Sequence, residues 1–210
     1  MTGCRNSKGV RLLPLACNAA MIVLELVGTS LAFAKGGLGT LKWFTVLSNI
    51  LALISSIAFL ISYLRRGGKV SFIAGLLRYF ASCCLALTFL TVIFVLVPMA
   101  VPGGTVANVL FRGANLYHHL LCPILSCLSF IFAEQGVHID KKLMFASLAP
   151  TMIYAVVFVI LNIVRVVKGP YPFLRVYEQP WYMSVVWAAV IGGLAAGSAW
   201  LIGRLRNKAG

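Results

Sequence analysis

The chain has 210 residues, of which 61% are hydrophobic and only 10% charged. A soluble domain carries about 25% charged residues, so the composition excludes an ordinary water-soluble globule as well as a disordered or collagen-like chain. At about 20 apolar residues per helical span, the length accommodates roughly six spans of a polytopic membrane protein. The 18 Lys and Arg against 4 Asp and Glu give a formal net charge of +14. These cations flank apolar segments and belong to no nucleic-acid-binding module, so they orient the chain in a membrane and imply no nucleic-acid partner.

Apolar segments are expected over about residues 12–34, 43–64, 72–98, 106–133, 143–164 and 181–203. Gly36-Gly37, Gly67-Gly68, Pro102-Gly103-Gly104 and Gly169-Pro170 punctuate the gaps. Such segments satisfy their backbone only as helices or closed barrels, and their length selects helices. The expected fold is an all-α bundle of six transmembrane helices forming one integral membrane domain over residues 1–210. The first segment has a basic start and an Ala32-Phe33-Ala34 end, as a signal peptide does. Its apolar core exceeds the 7–15 residues of a signal, so it is read as a retained helix.

A cytoplasmic N-terminus puts 11 cations inside: Arg5, Lys8, Arg11, Arg65, Arg66, Lys69, Lys141, Lys142, Arg204, Arg206 and Lys208. It puts 6 outside: Lys35, Lys42, Arg112, Arg165, Lys168 and Arg175. The excess places both termini in the cytoplasm. The six cysteines stand at 4, 17, 83, 84, 122 and 127 with no CxxC. All but Cys4 lie in apolar segments and read as small buried hydrophobes.

Polar groups within the spans carry the functional information. In the first, Glu25 is the only acid well inside a span, with Thr29 one turn away. It is expected to pair with Arg78 of the third span or with a histidine, the alternative being a proton or cation site. In the second, Thr45, Ser48, Asn49, Ala52, Ser55 and Ser56 share one face, and close packing explains most of them. In the fourth, Asn108, Arg112, Asn115, His119, Cys122, Ser126 and Ser129 follow alternating spacings of four and three. On an unbroken helix these form one stripe, facing the bundle interior or a wet cavity. His119 lies near its middle and His118 about 100° away. Interhelical hydrogen bonding accounts for most of the stripe, while adjacent histidines at mid-span also suit general acid–base work. His119 with Cys122 supplies too few ligands for zinc and no HExxH occurs, so no metal or cofactor is expected. The loop Tyr171-Pro172-Phe173 is stiff and aromatic, either an interfacial belt or a cap over the outer mouth. Gly193 and Gly197 in the sixth segment have GxxxG spacing and read as helix packing.

Three pieces together resemble a known family: Trp43-Phe44-Thr45, His118-His119-Leu120-Leu121-Cys122-Pro123 and Tyr171-Pro172-Phe173-Leu174. In order and topology they are similar to the androgen-induced-gene and ADTRP family of six-helix membrane proteins, over roughly residues 10–205. The bacterial Pr-six-Pr branch looks closest, around Phe44-Thr45-Val46-Leu47-Ser48-Asn49 and a histidine four residues before a proline. The resemblance implies a bacterial cytoplasmic-membrane protein. It also implies a threonine hydrolase of fatty acid esters acting on membrane lipids or lipid-like substrates. Thr45 would be the nucleophile. The base would be His118 by the animal spacing and His119 by the bacterial one, and the polar stripe independently favours His119. Asn115 stands where the animal proteins carry a further histidine. Asn49, Asn115 and Arg112 are the candidate oxyanion donors. Two other readings remain open: a small transporter or channel along the fourth helix with Glu25 and a histidine as proton carriers, and a non-catalytic scaffold. The oligomeric state is not legible.

Overall fold

The computed structural model describes residues 7–134 and 136–209, with side chains from Leu12 onward. Cys4 and Arg5 lie outside the described residues, as do the side chains of Lys8 and Arg11. Helix α1 is Ser7–Gly36, followed by a 3-10 turn at Gly37–Lys42. Then come α2, Phe44–Arg65, and α3, Phe72–Gly103, with a π turn at Val92–Leu96. The short α4, Val106–Phe111, precedes α5, Leu116–Ala133, α6, Lys141–Ile163, and α7, Trp181–Ala209. Among the described residues six helical segments are long and apolar enough to cross a membrane, and no strand occurs.

Local sequence explains most boundaries. Gly67 and Gly68 take φ of +60° and +94°, conformations that glycine adopts without penalty, and reverse the chain between α2 and α3. Ser71 caps α3 by accepting from Ala74 N at 3.2 Å, and Asp140 caps α6 by accepting from Leu143 N at 2.8 Å. The fourth apolar segment is not one helix. Arg112 is extended and Gly113 has φ +59°, so α4 and α5 are separate.

Burial is inverted relative to a water-soluble bundle. Val23, Ile54, Phe94, Phe132 and Ile153 are more than half exposed, while Asn18, Glu25, Ser55, Arg78, Ser82 and Ser126 are fully buried. Apolar lipid tails give helices no hydrophobic reason to associate, so polar contacts and close packing between them do more of the work.

The innermost contact is an ion pair. Arg78 of α3 donates from Nε to Glu134 Oε1 and Oε2 at 3.0 and 3.2 Å, and from Nη2 to Oε1 at 2.8 Å. Its Nη1 donates to Ser55 and Ser56 of α2 at 3.4 and 3.3 Å. Glu134 also accepts from Asn18 Nδ2 of α1 at 3.1 Å and Ser129 Oγ of α5 at 2.8 Å. A π turn at Ser129–Ala133 brings Glu134 back over Ser129, its N–H reaching Ser129 O at 2.9 Å. The Arg78–Glu134 pair thus ties four helices at one buried point. The expected partner of Arg78, Glu25, is not used.

Helix α7 closes on α3 and on the α5–α6 connection. Tyr79 donates to Ala199 O at 2.8 Å, and Asn207 brackets Ile139 by accepting from its N–H at 2.9 Å and donating to its carbonyl at 2.7 Å. Gly203 permits this approach: a Cβ there would stand 2.8 Å from Met144 Cε. Gly193 and Gly197 would meet nothing within 4 Å, so the expected GxxxG packing is not made within this chain.

Glu134→Gln should therefore destabilise the detergent-solubilised protein by about 3–5 kcal/mol, the cost of leaving a buried charge unpaired. The double variant Arg78→Met with Glu134→Leu should recover most of that loss. Thermal unfolding of the three proteins checks both statements, and a Glu134→Gln midpoint equal to wild type would refute the first.

Candidate functional site

Thr45 sits in the first turn of α2, where backbone N–H groups lack helical partners. The Tyr171 phenol, 126 residues away, supplies the partner: its oxygen accepts from Thr45 N–H at 3.2 Å and lies 3.1 Å from Thr45 Oγ1. Tyr171 is 6% exposed, and burial pushes its phenol above the ordinary tyrosine value, so it keeps its proton. An aromatic chain holds it there. Trp43 meets it edge-on at 5.2 Å, Phe173 stacks on it at 5.0 Å, and Trp187 of α7 follows Phe173 at 5.9 Å. The sequence leaves this segment open as an interfacial belt or a cap; here Tyr171-Pro172-Phe173 is tightened by a 3-10 turn at Pro172–Leu174, and its two aromatic rings cap one side of an apolar cavity. Gly169 is required where this loop folds on itself, because a Cβ would come within 2.5 Å of Leu174 O.

Beneath the cap lies a cavity of about 460 Å³ between α2, α3, α6 and α7. Its walls are overwhelmingly apolar, including Leu87, Val92, Leu96, Val159 and Ile191. Thr45, Tyr171, Thr88, Thr91, Tyr154 and Ser184 contribute the polar groups. Ser48 donates to Thr45 O at 2.9 Å and lies 3.1 Å from Thr88 Oγ1, linking α2 to α3 behind this wall. Both the volume and the lining suit a small-molecule site, about 300–1,000 Å³ and mainly apolar with few polar groups.

The histidines stand elsewhere. His118 and His119 are buried in a π turn at Leu116–Leu121. His119 donates from Nδ1 to Val109 O at 2.6 Å, clamping α5 to α4. His118 packs on α1, where a Cβ at Gly28 would lie 2.8 Å from its Nε2. No hydrogen bond joins Thr45 to either imidazole, and neither histidine lines the cavity. Asn49 links the two regions. Its Nδ2 donates to Thr45 O at 2.7 Å and to the backbone carbonyl of His118 at 3.4 Å.

The helix break also divides the expected stripe. His119, Cys122, Ser126 and Ser129 are buried, whereas Asn108 and Arg112 are exposed and Asn115 is half-buried, donating to Asn108 O at 2.8 Å. Neither Arg112 nor Asn115 lines the cavity that Thr45 lines. Glu25 is fully buried with both carboxylate oxygens unpartnered. Two features escaped the sequence reading. Glu134 falls one residue beyond the expected end of the fourth span, and the Thr45–Tyr171 contact joins two segments read separately. Compared with family models, with curated proteins and with solved structures, the chain matches none of them. Six apolar helices compatible with an integral membrane protein, a cap and an apolar cavity are what the coordinates define.

Tyr171→Phe keeps the ring contacts and removes the phenol oxygen. It should cost about 1–3 kcal/mol, because Thr45 N–H is then buried without an acceptor. A thermal midpoint unchanged from wild type would contradict the capping role.

Proposed function

We propose that this chain is an integral protein of a bacterial cytoplasmic membrane, with both termini in the cytoplasm, that binds a single acyl chain and cleaves its ester at Thr45. The observation that carries the binding half is the capped apolar cavity with the Thr45 and Tyr171 hydroxyls in its wall. A hydrocarbon chain fits those walls, and the hydroxyl pair offers hydrogen bonds to an ester or carboxyl group at one end. The exposed apolar surface of the six helices supports a membrane setting, from which such a lipid would enter.

Hydrolysis is the half supported by the resemblance. Thr45 Oγ1 would attack the ester carbonyl carbon and its proton would leave with the alcohol. The acyl-threonine formed would then be released as acid by water. Tyr171, protonated and 3.1 Å from Thr45 Oγ1, is placed as a donor to developing negative charge and not as a base. Neither imidazole is hydrogen-bonded to Thr45, so a base for this step has to come from a rearranged His119 or His118 or from water held in the cavity.

The purified protein should label with an alkyl fluorophosphonate. Thr45→Ala should fall to background while keeping a monodisperse profile and a cooperative unfolding transition. A well-folded wild type that does not label would remove the hydrolytic half and leave lipid binding without turnover.

A further inference from the structure

The cavity under Tyr171 leaves unexplained a second group of polar side chains, buried between α1, α2 and the π turn of α5. Glu25, Asn49 and His118 are each no more than 2% exposed. Both Glu25 oxygens, Thr29 Oγ1, Asn49 Oδ1 and His118 Nε2 are buried without a hydrogen-bond partner. Buried polar atoms are paired in the great majority of cases, and an orphan points to an absent water or ion. Here five of them occur on three neighbouring segments.

Their placement is consistent with one site. Glu25 and Thr29 are one turn apart on α1 and flank Gly28 in sequence, and Gly28 is where the His118 ring packs. Asn49 reaches the same turn through the His118 carbonyl at 3.4 Å. Because its Nδ2 is committed to two carbonyl oxygens, the free atom is the acceptor Oδ1. The Cys122 thiol, one turn beyond His118, is the nearest protein donor to Glu25, and the charge of Arg78 also reaches it. The π turn belongs to a class of distortion frequent at functional sites.

The chemistry of the orphans selects the occupant. Four of the five atoms are oxygens, and three of these can only accept: the two of Glu25 and the amide oxygen of Asn49. Arg78, the cation nearest in kind, has its hydrogen bonds taken by Glu134, Ser55 and Ser56. A carboxylate with hard oxygen neighbours and no hydrogen bond from a protein cation matches the oxygen-ligand preference of a hard metal cation. One carboxylate balances one positive charge. We infer that Glu25, Thr29 and Asn49, closed on one side by His118, form a binding site for a small monovalent cation, with Na+ the ion whose chemistry it fits. This site is separate from Thr45 and does not rest on the hydrolase reading.

The test is thermal unfolding of the purified full chain in detergent, titrated with NaCl against choline chloride at constant ionic strength. Wild type should show a midpoint that rises saturably with Na+, since a ligand bound only to the folded state stabilises it by mass action. Glu25→Gln removes the charge while keeping the shape, and should weaken apparent Na+ affinity at least about tenfold. Thr29→Val is the milder second variant, still folded if Glu25→Gln is not, and should also weaken the response. Thr45→Ala should retain it in full, which separates this site from the proposed reaction. A wild-type midpoint equal in NaCl and choline chloride would overturn the inference. So would a Na+ response that survives unchanged in a folded Glu25→Gln or in Thr29→Val.

Discussion

The structure turns on the Arg78–Glu134 ion pair, buried to 0% and 3% exposure. An isolated charge at that depth costs several kcal/mol, and a pair recovers this only when geometry and remaining hydrogen bonds are all met. Here they are. Glu134 receives Arg78 on both oxygens, with Asn18 and Ser129 adding to Oε1, while Ser55 and Ser56 take the other arm of the guanidinium. The residues of this network come from four helices, so α1, α2, α3 and α5 are fixed in register by one set of directional contacts. Apolar packing between helices in lipid has no such register. Ser55 and Ser56 on the buried face of α2 are explained by this demand.

The two ends of the bundle are built on different principles. Around Glu134 both oxygens of the carboxylate and all three nitrogens of the Arg78 guanidinium are engaged, and the chain there is closed further by Asn207 on Ile139. Toward the start of α2 the helices stand apart over the apolar cavity, and a single phenol from a distant loop covers the gap. Between them lies Glu25 with its oxygens unmet. A rigid, satisfied region thus supports a region with open chemistry, as a binding site needs if its polar groups are to be held in place without neighbours from the protein.

Much of this was legible in the sequence. Continuous apolar runs bounded by glycine and proline predict six spans, because hydrophobic length is the strongest constraint that a bilayer imposes. Six helical segments long and apolar enough to cross a membrane are present among the described residues, the fourth starting at Leu116 and not near 106. Thr45, Tyr171, Asn49 and Glu25 were each singled out as polar groups with something to explain. Their partners were not legible. A 3.6-residue period assumes an unbroken helix, and Gly113 with the π turn of α5 invalidates it, which removed Arg112 and Asn115 from the buried face. The glycine was visible; the π turn leaves no mark in composition. Glu134 was overlooked for a related reason. It follows the last apolar residue of its segment, where a helix continuing regularly would leave it in water, and only the tightened turn at Ser129–Ala133 returns it to the core. The Thr45–Tyr171 bond, spanning 126 residues, is a tertiary fact that no local pattern encodes.

The central claim is that the cavity beneath Tyr171 holds an acyl chain. The most direct test is photocrosslinking in lipid vesicles with a fatty acid ester carrying a diazirine near the middle of its chain, followed by mass-spectrometric mapping of the adducts. The account predicts adducts concentrated on the cavity wall, at residues such as Leu87, Val92, Val159 and Ile191, competed away by excess unlabelled ester. Adducts confined to the outward apolar surface, at residues such as Val23, Phe132 and Ile153, and insensitive to competitor would contradict it.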